Sequence, residues 1–221
     1  MIHVITLTLF SMLLLSSCSE DATTPIVDTT PKDTIQTIAI GRQVWMTKNL
    51  DIAKFRNGDI IPEAKTDSAW IAAAMANKPA WCHYEYSDAN GKKYGKLYNW
   101  YAVSDVRGLA PQGFHVPTDV EWTRLTNQLK GDMVAGSKLK SKADWLNNGN
   151  GNDTTGFTAL PGGYCSENGF FYSLGELGSW WSATQENTTN AFSREMNNEN
   201  SVVKRYNASK SEGLSVRCVK D

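Results

Sequence analysis

A change of texture near residue 147 constrains the fold more than any other feature of the chain. Helix signals precede it; short apolar runs punctuated by Gly and Asn follow it to the end. The clearest helix signal follows Pro117. Thr118 is placed as an N-cap with Glu121 three residues on, the pattern of a capping box. Trp122, Leu125 and Leu129 then form one apolar stripe, and Gly131 supplies a stop. Residues 67–75 have a second helical composition, with an Asp or Ser cap and Trp70, Ile71, Ala74 and Met75 on one side. Residues 97–103 read as a short buried helix, with a strand as the competing reading. Residues 88–91, Asp-Ala-Asn-Gly, read as a turn. After the Asn/Gly-rich loop 147–153, strands are predicted at 157–160, 180–184, 191–196, 202–206 and 214–219. Near the start, Ile38, Ile40, Val44 and Met46 around Gly41-Arg42 predict a hairpin. Helices first and strands last predict an α+β domain, loop-rich, with short antiparallel strands and two or three helices, rather than alternating βαβ units.

The N-terminus reads as an address. The apolar run from Val4 to Leu15 is too short to span a bilayer, which needs ~20 apolar residues. It has the length of the hydrophobic region of an export signal. Ser16-Ser17-Cys18 at its end has the form of a bacterial lipobox, in which the Cys18 sulfur is acylated (palmitate or a similar chain) and becomes the new N-terminus. The competing reading is an ordinary cleaved signal, and the lack of Lys or Arg in Met1-Ile2-His3 favours it. The expected organisation is a signal peptide over 1–17, a lipidated Cys18 with a polar spacer over 18–36, and a domain over 37–221. The spacer is Thr, Asp and Pro with little apolar content, too little to offset its ordering entropy. Ser19-Glu20-Asp21 reads either as an acidic surface-export tag or as generic spacer. The expected location is the outer membrane, lipid-anchored and exposed at the cell surface.

Composition excludes some partners. The formal net charge of −1 gives no electrostatic footprint for nucleic acid. The 8 Trp, 8 Tyr and 7 Phe must fill a core or a site, because such rings are costly to leave unpacked. With Cys18 assigned to lipid, Cys82, Cys165 and Cys218 remain, enough for one disulfide and one spare thiol. The residues alone leave the pairing open; Cys165–Cys218 is the expectation, since both lie in the C-terminal β region. No C-x-x-C spacing points to a structural metal.

Six segments, taken in order, carry a resemblance. They are Gln43-Val44-Trp45-Met46-Thr47-Lys48-Asn49-Leu50, Tyr94-Gly95-Lys96-Leu97-Tyr98-Asn99-Trp100, Pro111 through Trp122, Gly156 through Tyr164, Trp180-Trp181-Ser182-Ala183-Thr184 and Gly213-Leu214-Ser215-Val216-Arg217-Cys218-Val219. Together, over roughly residues 38–221, they resemble the Fibrobacter succinogenes major paralogous domain, a family of exported Bacteroidetes and Fibrobacter proteins. The resemblance implies a fold similar to the C-type lectin-like and sulfatase-modifying-factor folds, and it implies no established biochemical role. Many members carry Cys-Pro before a Gly-Trp-His; here Ala110-Pro111 and Phe114 stand instead, so a disulfide using that cysteine is absent.

Candidate chemistry is sparse. His115 is read chiefly as a side chain that fixes the turn into the Thr118 helix, with a ligand or base role as the competitor. His83 beside Cys82 gives no nucleophile pattern. Asp105, Asp119, Glu121, Asp153, Glu167, Glu176 and Glu186 are available for a carboxylate pair, and no neighbour singles one out. The 147–153 loop offers oxygens to Ca²⁺, but turn chemistry alone accounts for its Asn and Gly residues. Gly162-Gly163 reads as a backbone reversal. Adjacent strand residues face opposite ways, so one of Trp180 and Trp181 could be exposed and stack, with Tyr164, Phe170, Phe171 or Tyr172, on a sugar ring or a partner; burial of both is the competing reading. The expectation is a non-enzymatic, surface-anchored lipoprotein whose lectin-like domain binds a glycan or a surface protein, without a cofactor unless Ca²⁺ serves. An enzyme acting on extracellular polysaccharide and a structural envelope component are the alternatives.

Overall fold

A computed structural model describes Met1 and residues 35–221. The segment read as a signal with a lipobox, Cys18, and residues 19–34 of the expected spacer lie outside the described residues. Ile35–Asp221 forms one compact unit.

The domain is α+β, with five α-helices and three sheets, most of whose strand pairs are antiparallel. The N-terminal hairpin pairs β1 (Thr37–Ile40) with β2 (Gln43–Met46), turning at Gly41 with a left-handed φ of 62°. Helix α1 (Asp67–Met75) is capped by the Thr66 hydroxyl, which accepts from the Ala69 amide. β3 (Trp81–Cys82) pairs with β4 (Leu97–Tyr98), and α2 (Asp88–Tyr94) lies between them. The turn expected at 88–91 is therefore the first turn of a helix, with Asp88 in its first turn and Lys92 and Lys93 in its last, as the helix dipole favours. The aromatic run 97–103 divides at Asn99, whose side chain accepts from the Ala102 amide and starts α3 (Trp100–Val103). Neither competing reading holds for the whole run: it is strand, then helix.

After β5 (Phe114–His115), α4 (Asp119–Gln128) opens with both halves of the capping box made by Thr118 and Glu121. Gly131 ends that helix and also stands as N-cap of a further one, α5 (Asp132–Leu139). The low apolar contrast of α5 hides it from periodicity; with α2, read as a turn, it brings the two or three expected helices to five.

The C-terminal half builds the large sheet. β6 (Gly162–Cys165), β7 (Phe171–Leu174), β8 (Leu177–Gln185), β9 (Asn190–Asn197) and β10 (Lys204–Ser209) lie in the order β10-β9-β8-β6-β7, with β6 parallel to β8. The chain then returns through β11 (Val219–Lys220) to complete a four-stranded sheet β1-β2-β11-β5. Segment 214–219, expected as a strand, is mostly single bridges to Tyr98 and Trp180. Segment 157–160 likewise makes one bridge, Ala159 to Lys140. Gly163 lies inside a strand rather than at a reversal. Its φ is +63°, and a Cβ there would meet the Tyr84 ring at 2.6 Å, so the residue is glycine for space as well as backbone freedom.

The motif segments meet in the interior. Asn49 Oδ1 accepts from Trp180 Nε1 (2.9 Å), Arg217 Nε (3.1 Å) and Arg217 Nη2 (2.8 Å). Its Nδ2 donates to Tyr94 O (2.9 Å) and Ser215 Oγ (3.2 Å). Arg217 is fully buried and spends Nη1 on Met46 O (3.1 Å) and Phe157 O (2.5 Å), with its guanidinium 4.3 Å from the Phe157 ring centroid. One amide side chain thus joins β2, α2, β8 and the C-terminal return. Beside it Trp45, Trp122 and Phe157 pack ring to ring at 4.9–6.1 Å.

Candidate functional site

Burial and register decide which of the expected residues can reach a ligand. Trp180 and Trp181 do point to opposite faces of β8, but both faces are covered. Trp180 packs with Trp45, Trp122 and Phe157, and Trp181 with Tyr98, Leu214 and Val216; each is 0 % exposed. Their indole N–H groups are spent inside, Trp180 on Asn49 and Trp181 on Tyr98 O at 2.7 Å. A stacking role for either is therefore corrected to a core role. Phe171 is half-buried, wedged against Tyr84 and Tyr86 at 5.1 and 4.9 Å between centroids. Of the four expected binding residues, Tyr164 remains beside a cavity.

The cysteine pairing is also corrected. Cys82, Cys165 and Cys218 are all buried and free. Cys165 lies in the cluster around Trp70 and Leu97 and interacts with the Cys82 thiol, whose pKa is pushed well up by burial and then by Cys165. Cys218 lies in a different cluster, with Ala110 and Phe114. Membership of one β region does not bring two side chains to one side of it.

Several of the candidate carboxylates hold the fold. Asp105 binds Arg107 at 2.8 Å, Asp119 binds Arg194 at 2.5 Å, and Asp153 accepts from the Thr158 amide and hydroxyl. That last arrangement turns the 147–153 loop's carboxylate inward. Among the described residues, no three His, Cys, Asp or Glu side chains converge as a metal-binding group. His115 is clamped on both nitrogens, Nδ1 to Asp221 at 2.8 Å and Nε2 to Glu121 at 2.9 Å, and so ties the C-terminus to the α4 cap. Burial lowers the His115 pKa, but the hydrogen bonds that Asp221 and Glu121 accept from the ring outweigh it and the net shift is up. A histidine raised on folding stabilises fully below its unfolded pKa of about 6.5, and that contribution is lost as pH rises through the folded value. The melting-temperature gap between wild type and His115→Gln should accordingly be widest at mildly acidic pH and close in alkali. A gap independent of pH would show that the ring acts by shape alone.

The face left for a ligand is the outer part of the large sheet. Register places Ser179, Glu195 and Lys204 in one row across β8, β9 and β10, and Trp181, Ser193 and Tyr206 in the next row on the same face. A cavity of about 280 Å³ opens there, lined by Tyr164, Leu177, Glu195, Lys204, Tyr206 and Glu212, among others. A second hollow of about 200 Å³ shares Leu177, Glu195 and Lys204 and continues past Asn197 and Asn200. The two make one groove along the strands. Tyr164 stacks on Tyr172, its cross-strand partner, at 5.6 Å, and Tyr172 and Tyr206 are 46 % and 43 % exposed. Two carboxylates line it in a partly desolvated setting. Burial raises the Glu195 pKa, with Lys204 opposing. Burial, then the charges of Glu195 and Glu167, pushes Glu212 up to about 7.

A larger hollow of about 400 Å³ lies around Asn49, Lys92, Lys93 and Arg217. Several of its polar groups are already committed: Asn49 and Arg217 to each other, and Lys93 to Asp144 at 2.6 Å. The tyrosine groove is the better site because its rings and carboxylates are not consumed by the fold. Sequence reasoning missed Glu195, Lys204, Tyr206 and Glu212. The available signal was in β9, where Glu195 follows Ala191 and Ser193 on one face while Phe192, Arg194 and Met196 take the other. A carboxylate in line with small residues marks a face that opens to solvent at one end.

The chain belongs to the Fibrobacter succinogenes major domain family, whose model matches residues 38–220. No curated protein matches it.

Proposed function

We propose, taking the chain as a Fibrobacter succinogenes major domain, that it is a non-catalytic, lectin-like module that binds a saccharide in the tyrosine groove. The observation that carries this reading is the pairing of the exposed Tyr206 ring and the half-buried Tyr164 ring with half-buried carboxylates along one open groove. Sugar rings offer apolar C–H faces to aromatic rings and hydroxyl donors to carboxylates, so this set fits a saccharide with no metal and no covalent step. The lipobox supports a location on the outer membrane, anchored through Cys18 and facing outward, where polysaccharide is met. No described helix is long and apolar enough to cross a membrane, and an acyl anchor requires none.

A glycan array probed with the purified protein, with and without Ca²⁺, tests the reading. Binding to a defined set of glycans is expected, unchanged by Ca²⁺. Tyr206→Ala should weaken it about tenfold, ~1.4 kcal/mol. Absence of binding to every glycan would leave a protein partner or a structural envelope role. One observation favours a second reading. A carboxyl held near neutrality beside another carboxylate is the arrangement of a glycoside hydrolase. Release of reducing ends from a polysaccharide, lost in Glu212→Gln, would establish that reading and displace the first.

A further inference from the structure

The charge of the groove narrows the class of saccharide. Glu195 and Glu167 each act on Glu212 as like charges, adding to the effect of its burial. Lys204 supplies an ammonium that opposes the Glu195 charge and lies 4.8 Å from the centroid of the Tyr206 ring. The protein's own cation thus rests where an aromatic face and a carboxylate meet, the combination that holds ammonium groups through cation–π attraction and charge together. The geometry agrees: Glu195 and Glu212 line the same cavity as Tyr164 and Tyr206, and register sets Lys204 directly across from Glu195.

We propose that the saccharide bound in this groove is a cationic amino sugar, its ammonium seated between Glu195 and Glu212 and its ring against Tyr206 or Tyr164. The inference rests on the saccharide reading above. A neutral sugar satisfies the rings but leaves the carboxylates repelling one another; an anionic sugar worsens that repulsion. An ammonium-bearing sugar meets both needs, and it displaces Lys204 from the Tyr206 face.

Calorimetric titration of the full-length protein with three oligosaccharides of equal length tests this. The probes are oligomers of glucosamine, of N-acetylglucosamine and of glucose, titrated at about pH 7 and above, where the Glu212 carboxyl, pushed up to about 7, ionises while a fraction of the amines stays charged. The glucosamine oligomer should bind at least about tenfold more tightly than the other two, ~1.4 kcal/mol. That preference should shrink as salt rises, because it is electrostatic. Glu212→Gln, which keeps the shape, should erase the preference, whereas Lys204→Met should enlarge it by removing the competitor. Equal affinities for all three oligomers would overturn the amino-sugar inference and leave saccharide binding standing. A preference that survives Glu195→Gln with Glu212→Gln would place the ammonium elsewhere and also overturn it. Absence of binding to every oligomer would overturn both.

Discussion

Asn49→Ala should destabilise the domain by roughly 3–5 kcal/mol, the cost expected when a buried charge loses its partners. The Asn49 carbonyl takes two of the Arg217 N–H groups, at 3.1 and 2.8 Å, and the Trp180 indole N–H at 2.9 Å. Arg217 is 0 % exposed, so water cannot replace those acceptors without opening the core. Burial already lowers its pKa to about 9, a sign of how poorly the site solvates the cation. For a domain of this size the loss is a fall in melting temperature of roughly 6–20 °C. Arg217→Lys should be similarly damaging, since one ammonium cannot reproduce the planar fork that serves Asn49, Met46 and Phe157. Chemical denaturation of the three proteins checks this. A change under 1 kcal/mol in both variants would mean that the amide is not the hub of the fold.

Asp119→Ala should cost a comparable ~3–5 kcal/mol by a different route. Its carboxylate receives Arg194 Nη1 at 2.5 Å and Arg205 Nε at 3.0 Å, tying α4 to β9 and β10. Arg194 has 2 % side-chain exposure, whereas Arg205 has 46 %. Removal of the carboxylate therefore leaves the Arg194 charge buried with only neutral acceptors, Ser193 O, Asp119 O and Thr123 Oγ1, and barely troubles Arg205, which can turn to water. Asp119→Ala combined with Arg194→Met should recover much of the loss, because the second change removes the charge that the first leaves uncompensated. Simple additivity of the two changes would show that the ion pair is not the source of the effect. Neither site lines the tyrosine groove, so saccharide binding in the folded fraction should be unchanged by both.

These two hubs explain how much the sequence revealed. The Thr118 capping box and the stripe of Trp122, Leu125 and Leu129 are local signals, and the helix they predict is present. The family segments are equally legible because they are stretches of contiguous residues. Structurally they are internal: Asn49, Tyr94, Trp180, Ser215 and Arg217 belong to one hydrogen-bonded knot. They specify the fold, and Tyr164, at the end of one of them, is the ring they bring to the groove. The Trp180-Trp181 pair misled, since alternation predicts opposite faces but cannot say that both faces are covered. Cys165 and Cys218 failed likewise, because proximity in sequence region does not fix which cluster each side chain joins. The groove was illegible because its parts are single residues from β6, β9, β10 and the segment before Leu214. Only register brings Glu195 beside Lys204 and Tyr206 into the next row.

The most direct test of the account maps the bound saccharide onto the protein by amide chemical-shift perturbation, with an amino-sugar oligomer as ligand. Perturbations concentrated at Tyr164, Tyr172, Glu195, Lys204, Tyr206 and Glu212 are predicted, with little change at Asn49, Lys92 and Arg217. Perturbations centred on that second group, with the tyrosine face silent, would contradict the account.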